Sequence, residues 1–97
     1  MRDDDFEWDD RKAARNFASH GLSFEAASLA FDDAFAVVRE DLREDYGEQR
    51  YILLGMVQGR LLHVAYTERG ERVRIISARG AEPYEQRHYH EENGQTK

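Results

Sequence analysis

The chain has 97 residues, a net charge of −6 and no cysteine, which allows one small domain and excludes a disulfide framework or a thiolate metal site. No apolar run approaches the roughly 20 residues that a membrane-spanning helix requires. The acidic start, MRDDDFEWDD, is unlike a secretory signal. We therefore expect a cytoplasmic protein without membrane association.

The charge is distributed unevenly along the chain. Residues 1–48 hold 6 basic and 14 acidic residues, whereas residues 49–97 hold 8 basic and 6 acidic residues. The second half is therefore compatible with local binding of a phosphate chain, although the acidic total would attract nucleic acid poorly over long distances. Charge alone favours the simpler interpretation, in which these residues solvate the open face of a sheet.

The first third of the chain predicts a short edge strand followed by two helices. Phe6–Trp8 is the strand, and the first helix covers Arg11–Ser19, with a preceding aspartate as its cap and Gly21 at its end. Ser23 caps the second helix, which covers Phe24–Phe31. Because that helix has few polar positions, we expect it to be buried.

The rest of the chain predicts a sheet and a final helix. Four apolar runs are typical of strands, namely Ala34–Val38, Tyr51–Val57, Leu61–Thr67 and Val73–Ala78. The last three strands must be antiparallel, because their connections are too short for a crossover helix. A polar helix follows over Tyr84–Glu92. The predicted fold is α+β, a small antiparallel sheet with two N-terminal helices and one C-terminal helix on one side, in a single domain of residues 1–92 with a flexible tail at 93–97.

Two arginines of the last strand provide a first functional indication. Arg72 and Arg74 fall on one face of the strand, one pleat apart, where they would form an anion-binding surface. No Gly-rich phosphate loop or catalytic Ser/His/Asp order is present. His88 and His90 are two residues apart and would point to different sides of a helix, so we predict no metal site.

A series of motifs runs in order along nearly the whole chain, from Phe6 to Glu91. The motifs are FEWD, a helix ending in His-Gly, SFEAA, FDD, GEQRYILLG, YTERG, RVRIISAR and a final helix containing Tyr89. Together they resemble the BrnT family of bacterial toxins, the toxin half of a type II toxin–antitoxin pair. The resemblance implies a compact fold similar to the RelE class of ribonuclease toxins and an RNA-cleaving activity that blocks translation. It also implies a BrnA-like ribbon-helix-helix antitoxin, through which the complex would bind and repress its own operator DNA.

RNA cleavage without a metal or cofactor needs a base for the ribose 2′-hydroxyl, an acid for the leaving oxygen and positive charge for the phosphorane. Arg50 and Arg79 match the family motifs GE-x-R and ISAR and flank the predicted sheet, so we predict that they bracket a phosphate. The candidate bases and acids are His20, Glu48 and Tyr89. Each has a structural alternative: His20 can satisfy helix-end carbonyls, Glu48 can pair with Arg50, and Tyr89 can pack the last helix onto the sheet.

The predicted RNA-binding surface consists of Arg72, Arg74 and Arg87. One segment departs from the family pattern, since BrnT-like chains usually continue after the ISAR motif through several Lys or Arg residues, whereas residues 80–85 here read GAEPYE. Each lost phosphate contact weakens RNA binding. Two functions therefore remain open: a ribonuclease toxin, acting alone or on the ribosome, and a catalytically weak homologue that serves as an antitoxin-binding module.

Overall fold

The computed structural model describes residues 5–94, whose strands form one five-stranded sheet. The elements, in chain order, are β1 (Phe6–Glu7), α1 (Asp10–His20), α2 (Phe24–Ser28), a 3₁₀ turn (Leu29–Asp32), β2 (Val37–Glu40), β3 (Tyr51–Val57), β4 (Arg60–Arg69), β5 (Arg72–Gly80) and α3 (Pro83–Glu92). This order of strand, two helices, four strands and helix confirms the predicted α+β fold. The boundary at residue 92 stays a prediction: Asn93 donates to the Phe35 carbonyl at 3.0 Å, and residues 95–97 lie outside the described part of the chain.

The strands are arranged in the order β1-β5-β4-β3-β2. The pairs from β2 to β5 are antiparallel, as their short connections require. The sheet is nevertheless mixed, because β1 runs parallel to β5, with Phe6 beside Val73. The loop-length argument could not predict this pair, since β1 and β5 are distant in sequence and no hairpin fixes their direction.

The two faces of the sheet are covered by different helices. On the first face, Leu62 and Val64 belong to the main core beneath α1 and α2. On the second face, Leu54 and Leu61 pack with Tyr89 of α3 in a smaller cluster. The expectation that all helices lie on one side is therefore wrong, because alternate residues of the central strands are apolar on both faces.

Local side-chain contacts set the ends of the N-terminal helices. The Asp9 carboxylate accepts the Arg11 N–H at 2.8 Å and so caps α1, and Gly21 ends that helix at φ 69° in the left-handed region. The Ser23 hydroxyl accepts the Ala26 N–H at 3.0 Å to cap α2. The second helix is shorter than predicted, because after Ser28 the chain tightens into the 3₁₀ turn.

Strand β2 begins later in the chain than its predicted start at Ala34. The Asp33 carboxylate accepts the Phe35 N–H at 2.9 Å, which holds a turn, and β2 begins at Val37. The other Asp33 carboxylate oxygen accepts the Met56 N–H at 2.8 Å, so the same side chain fixes this turn against β3.

A side chain of α1 hydrogen-bonds to the backbone on the outer side of β5. Asn16 of α1 is buried and donates to the Ala78 carbonyl at 2.9 Å, while its own carbonyl accepts the Ala78 N–H at 3.0 Å. These bonds replace a strand, because the two-residue β1 pairs only with Val73 and Arg74 of β5. The backbone of Ala78 is thereby satisfied although no strand lies on its outer side, opposite β4.

A register shift in β5 decides which of its side chains reach each face. Tyr66 pairs with Ile75 and Ala65 with Ser77, which leaves Ile76 as an extra residue. As a result Ile75 and Ala78 both lie in the main core, and Arg79 projects from the second face towards α3.

Candidate functional site

Arg79 is fixed by a carboxylate of α3. Its Nη1 donates to Glu85 Oε1 at 3.0 Å, its Nη2 donates to Glu85 Oε2 at 3.1 Å, and Nη1 also donates to the Gly80 carbonyl at 3.0 Å. The Arg79 side chain is 29% exposed, whereas that of Glu85 is 2% exposed. The bidentate contact sets the plane of the guanidinium while part of it remains open to solvent.

Glu85 is ionised in this arrangement. Burial of the carboxylate acts to raise its pKa, but the hydrogen bonds from Arg79 and from the Glu82 N–H outweigh burial and lower the pKa overall. The Tyr84 hydroxyl also donates to Glu85 Oε2, at 3.3 Å. The negative charge of Glu85 therefore balances the positive charge of Arg79, and the pair is locally neutral.

His63 on β4 completes this cluster, and sequence reasoning overlooked it. It lies beside Arg79 in the register of the sheet, and its Nε2 is 3.6 Å from Glu85 Oε2. The side chain is buried, and its Nδ1 has no hydrogen-bond partner among the described residues. Burial, with a further contribution from the Arg79 charge, lowers the pKa of the imidazole, so it is neutral at pH 7. A lone histidine within an apolar strand was the available signal.

A hollow of about 210 Å³ opens beside the cluster, lined by Arg39, Leu54, Tyr84, Glu85 and His88. Arg39 is exposed on β2, and none of the ion pairs formed among residues 5–94 includes it. Tyr84 is 55% exposed. The hollow thus combines a cation, an aromatic surface and an imidazole next to Arg79, a set of groups that suits a phosphate-bearing aromatic ligand.

Arg50 occupies a different setting, just before β3. Its Nε donates to Glu48 Oε2 at 3.1 Å, and its guanidinium carbon lies 4.2 Å from the centroid of the Tyr46 ring. Arg69 also contacts Glu48, at 3.3 Å. The hydrogen bond from Arg50 is the main cause that lowers the pKa of Glu48, against a smaller effect of burial. Glu48 therefore makes the ion pair with Arg50 that was considered as the alternative to a base.

Arg50 and Arg79 do not meet in one pocket, so the prediction that they bracket a single phosphate is wrong. In the register of the sheet, Arg79 of β5 lies opposite His63 of β4, and His63 lies opposite Leu54 of β3. Leu54 is four residues beyond Arg50. With a rise near 3.3 Å per residue and strands near 4.8 Å apart, the two Cα atoms are about 16 Å apart. The cause is the topology: β3 and β5 run in the same direction, so the start of one and the end of the other lie at opposite ends of the sheet.

The predicted RNA-binding arginines of β5 share one partner. Arg74 Nη1 is 2.9 Å from Glu7 Oε2, and Arg72 Nε is 3.4 Å from Glu7 Oε1. Arg72 also donates to the Phe6 carbonyl at 2.8 Å. One carboxylate of β1 therefore contacts both arginines, and both lie towards the Arg50 end of the sheet. Arg87 is exposed on α3.

Neither of the two remaining candidates forms a hydrogen bond with Arg79, whose partners are Gly80 and Glu85. His20 is exposed at the end of α1, on the first face of the sheet, where it lines a shallow hollow with Lys12 and Arg15. The Tyr89 hydroxyl donates to Asp33 Oδ2 at 2.6 Å, and burial with this hydrogen bond raises the pKa of Tyr89 to about 12. Tyr89 thus has the contacts of a residue that packs α3 onto the sheet.

Comparisons with known proteins give a family for the chain. The model of a family described as "Ribonuclease toxin, BrnT, of type II toxin-antitoxin system" matches residues 8–85. A search of the curated proteins gave no match. Within the part of the chain that the structure describes, no helix is long and apolar enough to cross a membrane. The matched range includes Arg79, Glu85 and the residues of the hollow except His88.

Proposed function

The chain belongs to the BrnT family of ribonuclease toxins of type II toxin–antitoxin systems, and on that premise we propose that it cleaves RNA at the Arg79 end of the sheet. The family match over residues 8–85 carries this proposal. The pre-oriented, partly exposed guanidinium of Arg79 supports it. The cleavage would inhibit translation in the cytoplasm, and a ribbon-helix-helix antitoxin would neutralise it and carry the complex to operator DNA.

The proposed reaction is attack of a ribose 2′-oxygen on the neighbouring phosphorus. A bond forms between O2′ and phosphorus, the bond from phosphorus to the 5′-oxygen breaks, and a cyclic phosphate and a 5′-hydroxyl result. Negative charge grows on the phosphorane oxygens, where Arg79 would stabilise it, because Glu85 already holds the guanidinium in place. This chemistry requires no metal ion or cofactor.

We assign proton transfer to His88, which lines the hollow together with Glu85. Imidazole is the side chain most often used as a general acid or base. His63 is buried against Glu85 and acts by positioning that carboxylate. His20, Glu48 and Tyr89 lie elsewhere or are held in other contacts, as described above, so they are second choices for this step.

A second function is favoured by the same ion pair. Glu85 balances the charge of Arg79, and residues 80–85, which follow it, contain no lysine or arginine. Both features would weaken attraction of a phosphate chain. A catalytically weak chain would then act as an antitoxin-binding module in a repressing complex.

Controlled expression of the chain in bacteria distinguishes the two functions. We expect wild-type protein to stop growth and fragment bulk RNA, and Arg79→Ala to lower cleavage by about 100- to 1,000-fold, the usual effect of removing one oriented donor. Arg15→Ala, an exposed arginine on the first face, is the matched control. Normal growth with intact RNA from folded wild-type protein would contradict ribonuclease activity. Co-purification with an antitoxin but no cleavage would support the binding module.

A further inference from the structure

We propose that the hollow between β2, β3 and α3 is a nucleotide subsite, in which a base stacks on Tyr84 and an adjacent phosphate binds Arg39. The inference rests on the proposed function, since it takes RNA as the substrate, and it identifies how the strand is held beside Arg79. Neither residue was a site candidate in the sequence analysis, and the structure brings them together at one hollow.

The dimensions of the hollow suit a single nucleotide. Its volume of about 210 Å³ is below the roughly 300–1,000 Å³ of pockets that enclose drug-sized ligands. The buried side chain of Leu54 forms an apolar floor. Arg39 of β2 lies on one side, and Tyr84 and His88 of α3 lie on the other. A planar ring would therefore contact apolar and aromatic surface, while its charged backbone stays at the open rim.

Tyr84 is held as a platform next to the reaction centre. The residue is 55% exposed, so it does not belong to the hydrophobic core. Its hydroxyl donates to Glu85 Oε2 at 3.3 Å, and the same oxygen accepts Arg79 Nη2 at 3.1 Å. One carboxylate oxygen thus joins the aromatic ring to the proposed phosphorane-binding guanidinium. A base stacked on Tyr84 would place its own phosphodiester beside Arg79.

Arg39 supplies the charge that the hollow needs. Glu85 also lines the hollow, but Arg79 balances its charge through the bidentate contact. Arg39 is exposed and forms no ion pair with any residue between 5 and 94, so its charge is available to a ligand. An arginine opposite an exposed aromatic ring is the combination with which proteins bind single-stranded nucleic acid.

The subsite also fits the composition of the segment after Arg79. Residues 80–85 read GAEPYE and offer no lysine or arginine to phosphates. Stacking on Tyr84 would contribute binding free energy that this segment cannot contribute through charge. Because stacking releases no counterions, binding at this hollow should depend less on salt than binding through a basic segment.

The test measures binding separately from cleavage. A fluorescein-labelled, mixed-sequence 2′-O-methyl hexanucleotide has no reactive hydroxyl and reports binding by fluorescence anisotropy. We expect Tyr84→Leu to weaken binding by about 10- to 100-fold and Tyr84→Phe to change it by less than about threefold, because the ring provides the stacking. Arg39→Gln should weaken binding and reduce the slope of log K against log[salt] by about 0.7.

Two matched variants on the opposite face control for general effects. Phe17→Leu removes the aromatic ring of an α1 residue that is 58% exposed, and Arg15→Gln removes an exposed arginine of the same helix. Neither should change hexanucleotide affinity. Equal affinity of Tyr84→Leu and wild type would overturn the subsite, as would an equal loss in Phe17→Leu or no measurable binding by folded wild-type protein.

Cleavage of unmodified RNA by the same proteins separates this inference from the proposed function. Tyr84-dependent binding without any cleavage would leave the subsite in place and contradict the ribonuclease proposal. Cleavage with Tyr84-independent binding would overturn the subsite alone. A loss of antitoxin affinity in Tyr84→Leu, with RNA binding unchanged, would assign the hollow to the antitoxin and also overturn it.

Discussion

Glu85 of α3 holds the guanidinium of Arg79 on β5 through two hydrogen bonds, of 3.0 and 3.1 Å. The contact is local, because β5 ends just before the helix that carries Glu85. It orients Arg79, fixes the start of α3 against the sheet and balances the charges of both groups. The stability of the fold and the geometry of the proposed site therefore depend on the same carboxylate.

Glu85→Gln should lower the stability of the fold and disturb the geometry of the proposed site. The amide offers one acceptor oxygen in place of two, so Arg79 and the Glu82 N–H compete for it and the guanidinium loses its counter-charge. We expect the free energy of unfolding to fall by about 2 kcal/mol, less than for a fully buried pair because Arg79 can recruit water. Urea denaturation measures the change. Glu91→Gln, an exposed change on the same helix, is the control, and equal stability of the two variants would contradict the prediction.

Stability should decrease between pH 7.5 and pH 5.5 because of His63. Burial and Arg79 hold the pKa of this imidazole below its usual 6.5 in the folded protein. Below pH 6.5 the unfolded chain therefore binds a proton at His63 more readily than the folded chain does. The contribution of neutral His63 to the free energy of unfolding is complete above pH 6.5 and is lost as the pH falls below it. His63→Gln should flatten this part of the profile, as urea denaturation at several pH values would show. An unchanged slope in the variant would refute the assignment.

Gly55→Ala should be strongly destabilising, although the glycine lies in regular strand. A Cβ at this position would lie 2.9 Å from the Ala30 Cβ and still closer to the Ala30 carbonyl oxygen. The 3₁₀ turn would have to move away from β3, and we expect a loss of about 2–3 kcal/mol. Thermal denaturation followed by circular dichroism tests this, and a variant as stable as the wild type would show that the turn can shift freely.

Asn16→Asp should cost more stability than Asn16→Ala at pH 7. The Asn16 amide donates to the carbonyls of Leu22 and Ala78. An aspartate would place an acceptor against both carbonyls in a buried position, at a cost of about 3 kcal/mol. The difference in the free energy of unfolding between the two variants should become smaller at low pH, when the aspartate becomes protonated. Denaturant titration of both variants at pH 7 and pH 3 provides the comparison; a gap independent of pH would contradict it.

Helix caps and the antiparallel strands could be predicted because neighbouring residues decide them. Asp9, Gly21 and Ser23 act through contacts within a few residues, and short loops leave β3, β4 and β5 no other arrangement. The partner of β1 and the second-face position of α3 could not be predicted in this way. They depend on contacts such as Phe6 with Val73 that join distant parts of the chain.

The candidate site, too, could be predicted from the sequence only in part. Arg79 was found through its motif, but the assumption that it meets Arg50 failed because strand direction was not considered. The residues that do surround it come from three other strands, β2, β3 and β4, and from α3. A row across the sheet places Leu54 beside His63 and His63 beside Arg79. No spacing in the sequence indicates that Arg39 and Tyr84 lie near this row.

The amide of Asn16, which satisfies Ala78 where β1 has ended, makes the two borders of the sheet unlike each other. Along β5 an approaching chain would find a two-residue strand and then a side chain already occupying the backbone groups. Along β2 it would find four consecutive residues paired on one side. When the protein is concentrated, self-association by strand addition should therefore begin at β2.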